Sequence, residues 1–166
     1  MFHATVALRS VLQIQPGLLR QYGIRGLMLD LDNTLTTHDN PAPAEGVLSW
    51  IGLMRQAGIA MMIVSNNRSG RRVTDFCAEL GIPYQGHAKK PGTEGLRKAM
   101  ARAGKGRSET AMLGDKLLTD VLAANLSGVT ALMVEPVGGA VTPWQKVLHA
   151  MQAPFKKLAR EKEQYK

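Results

Sequence analysis

Asp30 and Asp32 stand two residues apart at the end of an apolar run, in the stretch Leu27-Met-Leu-Asp-Leu-Asp-Asn-Thr-Leu-Thr36. On a β-strand, positions i and i+2 share a face, so the run would deliver both carboxylates to one place. Two like charges in a dry setting repel, which predicts something positive between them. Three more polar groups follow later apolar runs. "IAMMIVSNN" ends in Ser65, Asn66 and Asn67, a shorter run leads into Lys89-Lys90-Pro91, and "AMLGDKLLTD" carries Asp115 with Asp120 further on. Carboxylates with carbonyls and water suit Mg²⁺, a hard ion that prefers oxygen. A lysine, a hydroxyl and free backbone N–H groups at a helix start suit a phosphate dianion. Together they describe phosphoryl transfer, where catalysis is largely positioning and charge stabilisation.

Each group also has a plainer use. An acidic pair at a strand end can shape a turn, Ser-Asn-Asn can cap a helix, Lys90 can be a solvated loop charge, and Asp115 can be a turn residue after Gly114. Those uses would all have to hold at once for the chemistry to be absent.

The elements that must carry these residues are legible from periodicity and punctuation. Short apolar runs predict strands near 26–31, 59–64, 82–86, 110–114 and 129–134, and amphipathic segments predict helices near 43–57, 69–80, 92–103 and 118–126. Pro43 and Ser69 mark helix starts, while Gly58, Gly81, Gly104 and Gly128 follow helix ends. Strand–helix alternation with short joints means right-handed crossovers: an α/β, three-layer, Rossmann-like parallel sheet with helices on both faces. Such sheets bind ligands beyond the C-terminal ends of their strands, where all four polar groups fall.

In order and spacing these groups resemble the four motifs of the haloacid dehalogenase (HAD) superfamily: Asp30-Leu-Asp-Asn-Thr-Leu35, Ser65, Lys90, and Gly114-Asp115 with Asp120. The fuller strings "DLDNTL", "VSNN", "KKPG", "GDKLLTD" and "AANLSG" are similar to subclass IIIA, the YqeG-type branch related to mitochondrial phosphatidylglycerophosphate phosphatase. The resemblance covers residues 26–135. One departure stands out: members usually carry Gln where this chain has Lys116, which adds a cation beside Asp115.

The resemblance implies a role for each residue. Asp30 would be the nucleophile, and Asp32 the general acid and base, its backbone carbonyl also helping to hold the metal. Ser65, Asn66 and Lys90 would bind the substrate phosphate. Asp30, Asp32 and Asp115 would hold Mg²⁺, and Asp120 would sit behind them as a supporting acid. The intervals from Asp30 to Ser65 and from Ser65 to Lys90 are filled by the predicted elements, leaving no room for a cap domain. An uncapped site suits a large or surface-bound phosphate ester better than a small enclosed metabolite.

The chain has 166 residues and a net charge of +8, and reads as a single domain with a core at about 22–136. The positive charge is at the ends: Arg9, Arg20 and Arg25 face no acid in residues 1–25, and six lysines and arginines face Glu161 and Glu163 in residues 144–166. Val6, Leu8, Val11, Leu12 and Ile14, and then Trp144, Val147, Leu148 and Met151, make both ends (1–21 and 143–166) modestly amphipathic. These ends could pack on the sheet or touch an anionic membrane peripherally. No apolar run reaches the ~18 residues of a membrane span and no signal peptide is visible, so a cytoplasmic protein is expected.

Other classes fit less well. A receiver-type signalling module carries its phospho-acceptor after a later strand. A nucleic-acid binder is disfavoured by the nearly neutral body and an aromatic content of 5%. His3, His38, His87 and His149 lack metal-ligand spacing, and "AGKGRS" lacks the spacing of a phosphate-binding P-loop. Cys77 and Trp50 are expected in the core.

Overall fold

The protein is described here by a computed structural model covering residues 4–37, 40, 42–66 and 70–137. Six parallel strands form one sheet: β1 (Val6–Leu8), β2 (Gly26–Leu29), β3 (Ala60–Val64), β4 (Tyr84–Gln85), β5 (Thr110–Gly114) and β6 (Thr130–Val134), in the order β1-β6-β5-β2-β3-β4. Helices α1 (Pro16–Gln21), α2 (Val47–Gln56) and α3 (Gly70–Leu80) cover one face, and α4 (Glu94–Ala103) and α5 (Leu122–Ser127) the other. This is the expected α/β arrangement.

Alternation along the strands divides the core in two. Leu27, Leu29, Met61, Ile63, Ala111, Leu113, Leu132 and Val134 meet the first helical layer; Met28, Met62, Val64, Met112, Ala131 and Met133 meet the second. Each helix answers with a 3.6-residue stripe. Val47, Trp50, Ile51 and Met54 are buried on α2, and Val73, Phe76, Cys77 and Leu80 on α3. Burial pushes the Cys77 thiol up to about 12, so it is a packing group.

The sheet grows outward from β2 in both directions, through β3 and β4 on one side and back across to β5 and β6 on the other. The chain therefore changes direction between β2 and β5, and a crevice opens there at the strands' C-terminal ends. The links from β2 to α2 and from β3 to α3 contain no further domain among the described residues.

The N-terminal segment takes the first of its two expected roles and packs on the sheet. Residues 6–8 form the edge strand β1, with Val6 opposite Leu132, and the core starts at residue 4 rather than near residue 22. Val6, Val11 and Ile14 are buried, and the Trp50 indole N–H donates to the Ile14 carbonyl at 2.9 Å. The apolar side of this end is thus committed to the sheet. Arg9 follows β1 at the C-terminal edge while Arg25 precedes β2 at the other, so its charges form no single patch. Residues 143–166, with Trp144 and the basic tail, lie outside the described residues, as do His3, His38, Asn67, Ser69 and His149. No helix among the described residues is long and apolar enough to cross a membrane.

Candidate active site

Asp30 follows β2 directly. Its N–H donates to the Leu113 carbonyl at 2.9 Å, so it continues the β2–β5 ladder by one step. The strand ends at Leu29, two residues earlier than its apolar run predicts, because the chain turns there. Thr34 and Leu35 N–H groups both donate to the Leu31 carbonyl, and Asn33 takes a left-handed φ of 62°, which Asn tolerates well. Leu31 and Leu35 are fully buried and plug this turn onto the core. The turn also separates the two acids: Asp32 is half-buried, and its carboxylate is outside the cluster that Asp30 joins.

Lys90 arrives on a braced loop after β4. Ala88 N–H donates to the Ser65 carbonyl at 3.0 Å, which ties the loop to the end of β3. Asn66 then grips the Lys90 backbone twice: its Oδ1 accepts from Lys90 N–H at 2.8 Å and its Nδ2 donates to the Lys90 carbonyl at 2.9 Å. Asn66, expected among the phosphate-binding residues, thus has both atoms of its side-chain amide on the Lys90 backbone. The Lys90–Pro91 peptide is cis, within a turn closed by Gly92 N–H on the Lys89 carbonyl. Gly95 lets α4 start against this loop, because a Cβ there would lie 2.6 Å from Ala88 Cα.

Asp115 and Asp120 follow β5. The expected helix at 118–126 begins as a π-turn, Leu117–Val121, and becomes α-helical only at Leu122. That wide turn carries Asp120 back over the strand end, where Gly114 makes room for it: a Cβ at Gly114 would lie 2.1 Å from Asp120 Oδ2. The need for glycine before Asp115 is thus a matter of space for another acid.

These segments form one buried polar cluster. Lys90 Nζ sits 2.8 Å from Asp30 Oδ1 and 2.7 Å from Asp120 Oδ1. Asp120 Oδ2 accepts from the Lys116 backbone N–H at 3.1 Å. Lys116 Nζ lies 3.0 Å from Asp115 Oδ1 and 3.6 Å from Asp30 Oδ2, and the Thr34 hydroxyl reaches Asp115 at 3.4 Å. Asp30, Lys90, Asp115, Asp120 and Ser65 are all buried. Neither Thr34 nor the reach of Lys116 to Asp30 was anticipated. Their signals are the Thr in "DNTL" and the extra cation after Asp115.

The electrostatics are those of too many acids for the cations available. Burial opposes the Asp30 charge, but Lys90 and Lys116 outweigh it and hold this carboxyl below its ordinary value. Burial also opposes the Lys90 charge, and Asp120 and Asp30 outweigh that and push its pKa up. Asp115 is raised to about 7, by burial first and then by Asp30 and Asp120 against the pull of Lys116. Asp120 is raised by burial and by Asp30.

One oxygen from each of Asp30, Asp115 and Asp120 lies within 4.8 Å of the others. Asp30 Oδ2 is buried and accepts no hydrogen bond. Three buried carboxylates with an unbonded oxygen fit a hard divalent cation better than they fit one another. Both oxygens of Asp120 are engaged by Lys90 and the Lys116 N–H, which leaves Asp30 and Asp115 as the better-placed ligands.

The doubly wound sheet, with its acids and lysine at the switch point, defines a phosphatase of the HAD superfamily, a phosphoric monoester hydrolase. A Legionella pneumophila protein assigned to HAD subfamily III A shares the fold at a TM-score of 0.54 and 21% identity, covering 79% of this chain and 74% of that one. The chain belongs to the mitochondrial PGP phosphatase family, whose model matches residues 1–138. "Probable phosphatase YqeG" of Bacillus subtilis (strain 168) is 35% identical over 132 residues, which cover 80% of this chain and 76% of that protein. "Phosphatidylglycerophosphate phosphatase 1, chloroplastic" of Chlamydomonas reinhardtii is 29% identical over 144 residues, or 78% of this chain. The match spans only about half (51%) of the length of that algal relative.

Proposed function

We propose that the protein hydrolyses a phosphomonoester through an aspartyl-phosphate intermediate with the help of Mg²⁺, and that its substrate is phosphatidylglycerophosphate. The observation that carries the reading is the buried cluster at the β2–β5 switch point, in which Asp30 is held by Lys90 through one oxygen while the other accepts no hydrogen bond. The Asp30 carboxylate is the group that attacks phosphorus. A P–O bond to Asp30 forms as the ester P–O bond breaks, and Asp32 gives its proton to the departing alkoxide. Asp32 then takes a proton from water, which attacks the phosphorus and releases phosphate and the Asp30 carboxylate.

Lys90 and Ser65 orient the phosphoryl oxygens, Asn66 fixes the Lys90 backbone, and Asp120 keeps the Lys90 ammonium charged and in place. The bound Mg²⁺ would be held by Asp30, Asp115 and the backbone carbonyl of Asp32, and would supply charge neutralisation for the phosphoryl group. The family, the chloroplastic phosphatidylglycerophosphate phosphatase among its relatives, and a site without an enclosing domain support this substrate. The same reading gives a cytoplasmic protein without a nucleic-acid partner. Peripheral contact with the membrane's inner face would then fall to the basic 143–166 segment.

The test is phosphate release from phosphatidylglycerophosphate, a phosphopeptide and a sugar phosphate, with and without chelator, by the protein and its Asp30→Asn variant. Preferred release from the phospholipid, lost in chelator, restored by Mg²⁺ and reduced at least about a thousandfold in Asp30→Asn, is expected. Full activity in excess chelator would remove the ion, and preference for another ester would replace the substrate.

A further inference from the structure

The second lysine of the cluster has no part in the steps above. Lys116 Nζ lies between Asp115 Oδ1, at 3.0 Å, and Asp30 Oδ2, at 3.6 Å. These are the two carboxylates best placed to hold a divalent ion. An ammonium bridging them does electrostatically what the ion would do, with half the charge.

We infer that Lys116 is an intramolecular occupant of the metal position, which neutralises Asp30 and Asp115 in the metal-free protein and withdraws when the ion enters. The inference rests on the metal-dependent reading given above. Three features of the structure support it. The Lys116 backbone is anchored independently of the side chain, because its N–H donates to Asp120 Oδ2, so the ammonium can leave without unmaking the turn. Its side chain is 38% exposed, whereas that of Lys90 is 1% exposed, so a path to solvent is open to the one and closed to the other. Lys90 has partners on both sides, Asp30 and Asp120, whereas the carboxylates that Lys116 bridges are those with capacity to spare.

An occupant tethered next to its site weakens a competing ligand by the fraction of time it holds the site. A chain with a neutral residue at this position would bind the ion more tightly, yet would be less stable without it. Lys116 is therefore a positioning residue for the ion rather than a group that meets substrate.

The experiment is titration of the full-length protein with Mg²⁺ by calorimetry and with Mn²⁺ by electron paramagnetic resonance, at pH 8. It compares wild type with Lys116→Gln, Lys116→Met and Lys116→Arg, and records thermal unfolding with and without ion. Tighter binding by about tenfold or more is expected in the Gln and Met variants. Their melting temperature should be lower without ion and should rise further on its addition, and Lys116→Arg should behave as wild type. Equal or weaker binding in Lys116→Gln, with the same melting temperature at saturating ion, would overturn the inference and leave the metal-dependent reading standing. Failure of every form to bind either ion would remove both.

Discussion

Asp115 is the residue on which the acids' mutual repulsion falls. Its carboxyl is raised to about 7, above the ~3.9 of an unfolded chain. The folded protein therefore binds a proton here that the unfolded chain has already lost. Its stabilising contribution is complete below about pH 4 and is lost as pH rises through about 7. Ion binding must expel that proton, so it has the opposite pH dependence. Affinity for Mg²⁺ should fall about tenfold between pH 8 and pH 6, with close to one proton released per ion at the lower pH. Calorimetry in buffers of differing ionisation enthalpy measures both. Much of this cluster was legible at the residue scale, because Asp30, Lys90 and Asp115 each stand close to the end of a predicted strand, with Asp120 one helical turn further on. The grip of Asn66 on the Lys90 backbone was not, since an amide at a strand end can face a ligand or a loop with equal ease.

At the scale of elements, the π-turn at Leu117–Val121 and the glycine beneath it act as one device. Gly114→Ala would place a methyl 2.1 Å from Asp120 Oδ2 and force that acid away. Lys90 would lose one of its two buried partners and the Lys116 N–H its acceptor, at a cost of about 2–4 kcal/mol. Phosphatase activity should drop at least about a hundredfold and thermal unfolding should occur at lower temperature, read by assay and calorimetry. Asn66→Ala should lower activity about tenfold or more while the secondary structure measured by circular dichroism stays unchanged, because it frees the Lys90 loop alone. Helices α2, α3 and α4 were readable from the sequence because each has an apolar stripe and a glycine stop. The π-turn was not, since five residues are too few to show a period of their own.

At the scale of the whole molecule, the N-terminal segment is structural. Removing residues 1–14 would strip Val6, Val11 and Ile14 from the core, at roughly 2 kcal/mol each. That sum is comparable with the whole stability of a domain, so the truncated chain should lose its cooperative unfolding transition in calorimetry. Deleting residues 155–166 instead should reduce co-sedimentation with anionic vesicles and spare hydrolysis of a soluble phosphate ester. Strand β1 could not be seen in the sequence, because three residues carry no periodicity and its partner, β6, lies far along the chain. Arg9 and the apolar residues around it look amphipathic from either standpoint.

That pairing also bears on how the protein is born. Strand β1 leaves the ribosome long before β6, the strand it pairs with, which sets Val6 beside Leu132 and Leu8 beside Val134. Contacts so distant along the chain form late and slowly. A nascent chain halted before residue 130 would hold residues 4–14 without the strand they dock on, and would present chaperones with a sticky segment until β6 has been made.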